Sequence, residues 1–345
     1  DPAAPAGYTL EYGSQVRPRP FASPLRARRT PGGIAVNTGP LVFTVSSRRL
    51  GLIESLAFEG RTLLSPANPA HFELTGPDGT LYTTLAPPAE LAIEEDGPRR
   101  VAIRASGNHV SKDGRRLFSY TLRIHAYAGM PFLRIQHTFG NDRGEEEFTS
   151  IRSLILRLPL AGAFDGPAPS VLRQRRDEPR PEGFAEWSGG GARVTLALRD
   201  FWQNYPKDLA VTPAGIELGL CPPLAPDEYA AFQGTPDEYK LYYYLLEGRY
   251  KLRQGVSKTH DLWLEFSAAG GPPAAIRRQR SPLRAAAAPM PLPPAVTIAT
   301  FLVIASSSID CRGDDRHLRV TLQPSCALRG CSPTPVGSAG TRPSL

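Results

Sequence analysis

The sequence predicts an all-β protein built around one large antiparallel β-sandwich. Three observations lead there. Apolar and polar residues alternate at period two over most of residues 34–160. Turn-forming clusters such as Gly76-Pro77-Asp78-Gly79, Lys112-Asp113-Gly114 and Asn141-Asp142-Arg143-Gly144 interrupt that alternation at short intervals. Before residue 270, no stretch sustains the 3.6-residue spacing of an amphipathic helix. The 36 prolines and 32 glycines suit many short strands joined by tight turns, and a hydrophobic content of 41% is enough for a buried core.

Taken in order, strands are expected at Leu41–Ser46, His71–Thr75, Leu91–Glu94 and Val101–Ala105. The clearest follows, from Leu117 to His125. One face carries Phe118, Tyr120, Leu122 and Ile124, and the other Ser119, Thr121, Arg123 and His125. Ala128-Gly129-Met130-Pro131 predicts a turn, and Phe132 to Phe139 a returning strand with Leu133, Ile135, His137 and Phe139 on one side. Two such strands make a hairpin with one dry and one wet face. Glu145-Glu146-Glu147 reads as a solvated hairpin tip, and Arg173–Pro181 as a long exposed loop. Further strands are expected at Ile151–Leu158, Val194–Arg199, Gly215–Leu220, Lys240–Leu246 and Ser257–Phe266. Beyond Gly270 the alternation gives way to Pro, Ala, Ser and Arg. The expected plan is a short remnant over residues 1–30, the sandwich over 31–270, and an irregular tail over 271–345 without stable packing.

Charge and cysteine usage narrow the function classes. The net charge is +7, but residues 271–345 hold nine Arg and three Asp and so account for +6 of it. A nucleic-acid binder places its basic footprint on the folded domain, so nucleic acid is not expected as a partner. Cys221 lies alone, and Cys311, Cys326 and Cys331 fall in the tail with no spacing that suggests zinc. Asp1 to Gly7 shows no basic segment leading into an apolar one, so no signal peptide is read there. The longest apolar run, Ala295 to Ala305, is far short of the roughly 20 residues a membrane helix needs.

Candidate chemistry concentrates between residues 199 and 266. Arg199-Asp200-Phe201-Trp202-Gln203-Asn204-Tyr205-Pro206-Lys207 puts aromatic rings, amides and a cation on one turn-forming stretch. Such a mixture suits a sugar, whose C–H faces stack on rings while its hydroxyls hydrogen-bond. Arg199, Trp202, Gln203, Tyr205 and Lys207 are therefore candidate substrate-binding residues, against the alternative that the rings merely pin a loop. Lysine is rare here, with five against 35 Arg, yet Lys207, Lys240, Lys251 and Lys258 all fall in this region. Lysine and arginine differ in geometry and hydration, so these positions suggest a need for an amine. Tyr250, Lys258 and His260 are the candidate catalytic residues. His260 shares a strand face with Lys258 and Leu262, while Asp261 points the other way. Its structural alternative, a satisfied histidine near a sheet edge, stands beside the catalytic one. His71, His125 and His137 read as structural. No nucleophile elbow, phosphate loop or metal-binding helix motif is present.

These residues carry a resemblance. Asn37-Thr38-Gly39-Pro40-Leu41, Tyr127-Ala128-Gly129-Met130-Pro131-Phe132-Leu133-Arg134, Arg199–Lys207, Tyr250-Lys251-Leu252 and Gly255–His260 resemble the YetA-like proteins. That family includes exo-acting rhamnogalacturonan lyases. The resemblance spans roughly residues 8 to 285, and its most specific part is Phe201-Trp202-Gln203-Asn204-Tyr205-Pro206-Lys207. It implies a galactose-mutarotase-like supersandwich between a small N-terminal barrel and a C-terminal helical toroid. Tyr8-Thr9-Leu10-Glu11-Tyr12-Gly13 would be the barrel's last strand. After Ser281-Pro282-Leu283-Arg284-Ala285 the pattern departs from the family, as a shifted reading frame in a GC-rich gene would produce. The implied activity is β-elimination in pectin-type rhamnogalacturonan, an acidic plant cell-wall polysaccharide. The catalytic set would be shared with the toroid, and the whole enzyme would admit a divalent cation such as calcium. This chain would then be a lyase fragment, inactive alone; the alternative is a carbohydrate-binding or structural sandwich without catalysis.

Overall fold

In the computed structural model the described residues are 8–12, 22–142, 144, 146–173, 183–225, 248–270 and 318–322. They contain 22 strands and no helix. β1 (Tyr8–Tyr12) pairs antiparallel with the last strand, β22 (Leu318–Leu322), from Tyr8 opposite Leu322 to Tyr12 opposite Leu318. Leu318-Arg319-Val320-Thr321-Leu322 alternates over only five residues, which is why the tail reads as patternless. The remainder of 271–345, the Lys240–Leu246 stretch and most of the Arg173–Pro181 loop lie outside the described residues.

The other described strands form a unit by themselves. A five-stranded antiparallel meander comes first, running β2 (Arg26–Thr30), β3 (Gly33–Asn37), β4 (Leu41–Ser46), β5 (Ser55–Phe58) and β6 (Arg61–Leu64). Then follow β7 (His71–Thr75), β8 (Leu81–Thr83), β9 (Glu90–Asp96), β10 (Arg100–Ser111), β11 (Arg116–Tyr127) and β12 (Phe132–Gly140). β13 (Phe148–Ile151), β14 (Ser153–Pro159), β15 (Ser170–Arg173), β16 (Phe184–Gly189) and β17 (Ala192–Leu198) come next. The series ends with β18 (Asp208–Thr212), β19 (Gly215–Cys221), β20 (Tyr250–Arg253) and β21 (Ser257–Ala268). Thirteen of these strands make one sheet in the order β15-β18-β19-β14-β7-β8-β10-β11-β12-β21-β17-β16, with β9 beside β10. β13 and β20 form a separate pair.

The alternation explains the layering. On β11, Phe118, Tyr120, Leu122 and Ile124 are each at most 3% exposed, and their cross-strand partners on β12 are buried with them. The expected turn after β11 is present, with Gly129 at φ +72, a left-handed conformation that costs glycine nothing. Phe72 on β7 stacks on His137 on β12 with ring centroids 3.9 Å apart, although three strands separate β7 from β12 along the sheet. The large sheet therefore curls so that its two halves face each other. The small sheet closes the interior, where Phe58 on β5 faces Phe266 on β21 at 6.5 Å. One continuous apolar cluster runs through both sheets. The described residues of this unit thus form an all-β supersandwich. His125, expected on the wet face, is only 8% exposed, and its Nε2 meets Gln136 Oε1 at 3.3 Å.

Candidate functional site

The segment after β17 is built as a compact turn. Asp200 adopts φ +53, and its carbonyl accepts hydrogen bonds from the backbone N–H and side-chain amide of Asn204 at 3.0 and 2.8 Å. Phe201 is buried and anchors the turn, while Trp202 is 40% exposed and Gln203 exposed. Tyr205 packs half-buried against the core, and the Tyr205–Pro206 peptide is cis. This path delivers Lys207 into the interior, where it is 2% exposed and its Nζ donates to the Pro206 carbonyl at 3.0 Å. Loss of hydration disfavours the ammonium form, Lys258 adds repulsion, and the amine is held down to about 7.

β21 brings the second half. Its alternation turns Lys258 and His260 to the inside, next to Lys207. Lys258 is half-buried, and burial lowers its amine too. His260 is 2% exposed and lies parallel to Phe139, with centroids 5.9 Å apart and planes 3° from parallel. Both ring nitrogens lack a hydrogen-bond partner. Burial, then the charges of Lys207, His137 and Lys258, hold the imidazole well below its ordinary range, so it is neutral. Cys221, at the end of β19, is buried beside the two lysines; burial raises its thiol and the lysines oppose the rise. Tyr250 on β20 is 2% exposed, and its hydroxyl donates to the Pro222 carbonyl at 2.6 Å. That bond ties β20 to the residue following Cys221.

The nearest acid is turned elsewhere. Asp208 lies against Gly219, where a Cβ would stand 2.0 Å from its Oδ1, and pairs with Arg173 at 3.3 Å. Neither Lys207 nor Lys258 has a carboxylate within ion-pair distance among the described residues. Among the described residues the site thus holds a near-neutral amine, a second cation and a neutral imidazole. No group of three or more His, Cys, Asp or Glu among the described residues could hold a metal ion.

The structure brings Lys207, Lys258 and His260 together, with Tyr250 bracing the neighbouring strand. Arg199, just after β17, is 63% exposed and lies 3.8 Å from Asp261, which is on the face of β21 opposite His260. Trp202 and Gln203 sit on the exposed side of the turn. His260 is a core side chain with no hydrogen bond, so the satisfied edge histidine is not what the structure contains. His137 is likewise in the core, whereas His71 pairs with Glu73 at 3.2 Å near the surface. Sequence reasoning missed Cys221, which has no spacing motif. The one signal for the cluster was the crowding of lysines in an arginine-rich chain.

Residues 25–163 match the family model described as the PcRGLX-like protein central beta sandwich domain. This segment is similar to that family's central β-sandwich domain. The PcRGLX-like segment runs from β2 to just past β14, so it contributes His137 and Phe139, while Lys207, Cys221, Lys258 and His260 follow it. Comparison with curated proteins finds no match. Among solved structures, the chain is similar to a proposed aldose 1-epimerase from Klebsiella pneumoniae. The two are 13% identical over 75% of this chain and 87% of that one, with a TM-score of 0.46. A galactose mutarotase-like protein from Lactobacillus casei is 12% identical over 70% of this chain and 100% of that one, with a TM-score of 0.37. An α-mannosidase from Enterococcus faecalis is 12% identical over 77% of this chain and 32% of that one, with a TM-score of 0.45. These likenesses say nothing of chemistry.

Proposed function

We propose that this chain supplies the sandwich wall of a polysaccharide lyase that cleaves acidic, rhamnogalacturonan-type chains by β-elimination. The PcRGLX-like segment supports the lyase relationship, and Lys207 is the observation that carries the chemistry. A base that works near neutral pH must be largely unprotonated there yet still able to accept a proton, which is the state that burial confers on this amine. In the proposed reaction, Lys207 Nζ takes the proton from C5 of a uronate. The electron pair left at C5 forms the C4–C5 double bond, the C4–O4 bond breaks, and O4 takes up a proton. Lys258 pairs with the uronate carboxylate, which would otherwise become a dianion as the C5 proton leaves. His260, neutral and buried, adds no charge beside the two lysines, and Tyr250 holds β20 in place as a positioning residue. The proton for O4 comes from the facing wall, which members of the resembled family build from a helical toroid.

The 345-residue chain mixed with rhamnogalacturonan is expected to give no rise in the ultraviolet absorbance of unsaturated uronate. Joined to the toroid of the family it resembles, it should produce that absorbance. Lys207→Ala should then lower kcat by roughly 100-fold or more, in keeping with loss of a general base. An unaltered kcat in that variant would remove Lys207 from the mechanism. Binding of the polysaccharide without unsaturated product in the joined protein would favour a purely carbohydrate-binding sandwich.

A further inference from the structure

β21 has a second face. Lys258 and His260 point inward, so Thr259, Asp261, Trp263 and Glu265 point outward. Register sets their neighbours, with Trp263 opposite Arg134 on β12 and Asp261 opposite Gln136. On β11, His125 stands opposite Arg134. The result is a group of aromatic rings around one guanidinium. Phe132 lies 5.6 Å from Trp263 and 5.1 Å from Tyr127, centroid to centroid, and the Arg134 guanidinium carbon is 5.8 Å from the Trp263 ring. Asp261, 13% exposed, locks that guanidinium in place. Arg134 Nε donates to its two oxygens at 2.9 and 3.2 Å, and Nη2 donates to Oδ2 at 2.7 Å.

Beside this group, His125 meets Gln136 Oε1 through Nε2 at 3.3 Å. That contact places the ring proton on Nε2 and leaves Nδ1 as a buried acceptor with no partner. The charges on the rest of the face alternate in sign, as Arg104 with Glu90 and Arg123 with Glu94. Such a face does not attract a polyanion. It offers rings, fixed planar donors and an unfilled acceptor, which is the complement of a hydroxyl-rich ring with apolar C–H patches.

We propose that this outer face is a saccharide-binding site, separate from the lysine cluster, which stacks one pyranose ring on Trp263. Sugar hydroxyls bond to Gln136, to the Arg134 guanidinium and, after a small local shift, to His125 Nδ1. The site serves to hold a glycan on the side of β21 opposite Lys207, and it stands whether or not the lyase reading does.

The test is a nuclear magnetic resonance titration of the full chain with D-galactose, L-rhamnose and D-galacturonate. At least one of them should shift the indole N–H resonance of Trp263 saturably, while that of Trp187, which is 0% exposed, stays put. Trp263→Ala should weaken binding about fivefold, and Trp263→Tyr should retain most of it, because stacking on one ring is worth on the order of 1 kcal/mol. Arg134→Met should weaken binding while keeping the fold, as judged by an unchanged β-sheet circular dichroism spectrum. The proposal is overturned if none of the three sugars moves Trp263. It is equally overturned if a folded Trp263→Ala protein binds as tightly as the parent, or if dilution of the protein alone produces the shift.

Discussion

An amine buried as Lys207 is responds to pH in the opposite direction to a paired lysine. Its value in the folded protein, about 7, lies below the ordinary 10.5. Between those two values the unfolded chain holds a proton that the folded chain lacks, so stability rises with pH across that window. Below about pH 7 both states are charged, and the whole cost of burying the charge bears on the fold. Lys207→Met should therefore be more stable than the parent at pH 6. The gain should be a few kcal/mol, with a ceiling of roughly 5 set by about 1.4 kcal/mol per pKa unit. It should shrink to nothing as pH approaches 10.5; a difference that stayed constant in urea denaturation across pH would show that the amine is not desolvated. His109, His137 and His260 give a second signature, since burial holds all three imidazoles below 6.5. As pH falls below 6.5 the unfolded chain takes up protons first, so the stability these neutral rings permit is lost in that direction. With up to three protons involved, the loss reaches about 4 kcal/mol per pH unit at its steepest. His260→Phe, which keeps the ring on Phe139, should move the acid unfolding midpoint to lower pH. The lysines were legible in the sequence through their scarcity elsewhere. The desolvation was not, because no local pattern tells which strand of the opposite layer will cover a side chain.

At the scale of elements, the hairpin of β18 and β19 decides where Lys207 and Cys221 lie, one just before it and the other at its end. The hairpin rests on β14 through Gly215, which has φ +137 and whose Cβ, if it had one, would stand 2.1 Å from the Leu158 carbonyl oxygen. Gly215→Ala should cost about 2–4 kcal/mol, from backbone strain and a clash with main chain that cannot move aside. Gly114→Ala is the comparison, because Gly114 also has positive φ but open space around it. It should cost only about 1–2 kcal/mol. Equal losses in chemical denaturation would mean that β14 yields to the added methyl. Period two identified the longest alternating strands, β11, β12 and β21 above all. β16 and β18 escaped notice: β16 begins just after a proline-broken charged loop, and β18 is a bare five-residue Asp-Leu-Ala-Val-Thr. The outward face of β21 was legible only as a parity, with Asp261 opposed to His260. That Trp263 joins Arg134 there depends on register with β12, which alternation does not specify.

Over the whole molecule, every described strand of residues 22–270 finds its partners within that span. A protein cut to those residues should keep a β-type circular dichroism spectrum and one cooperative unfolding transition, and a helical spectrum would contradict the fold. Sandwich architecture followed from composition and alternation together. Strand order did not, because a sheet face announces whether it is wet or dry and not which strand lies alongside. The position of β21 in that order has a further consequence for how the protein is made. It is the final strand of the large sheet in the chain, yet it lies between β12 and β17 and is hydrogen-bonded to both. During synthesis, the segment ending at residue 268 emerges only after both neighbours have been waiting with exposed N–H and C=O edges. Until it arrives, β16 and β17 have no hydrogen-bonded strand neighbour in the rest of the sheet. A ribosome that stalls before residue 257 releases a chain with two open edges, each a template for another unfinished copy, so the late arrival of one strand makes the nascent protein a natural client of chaperones.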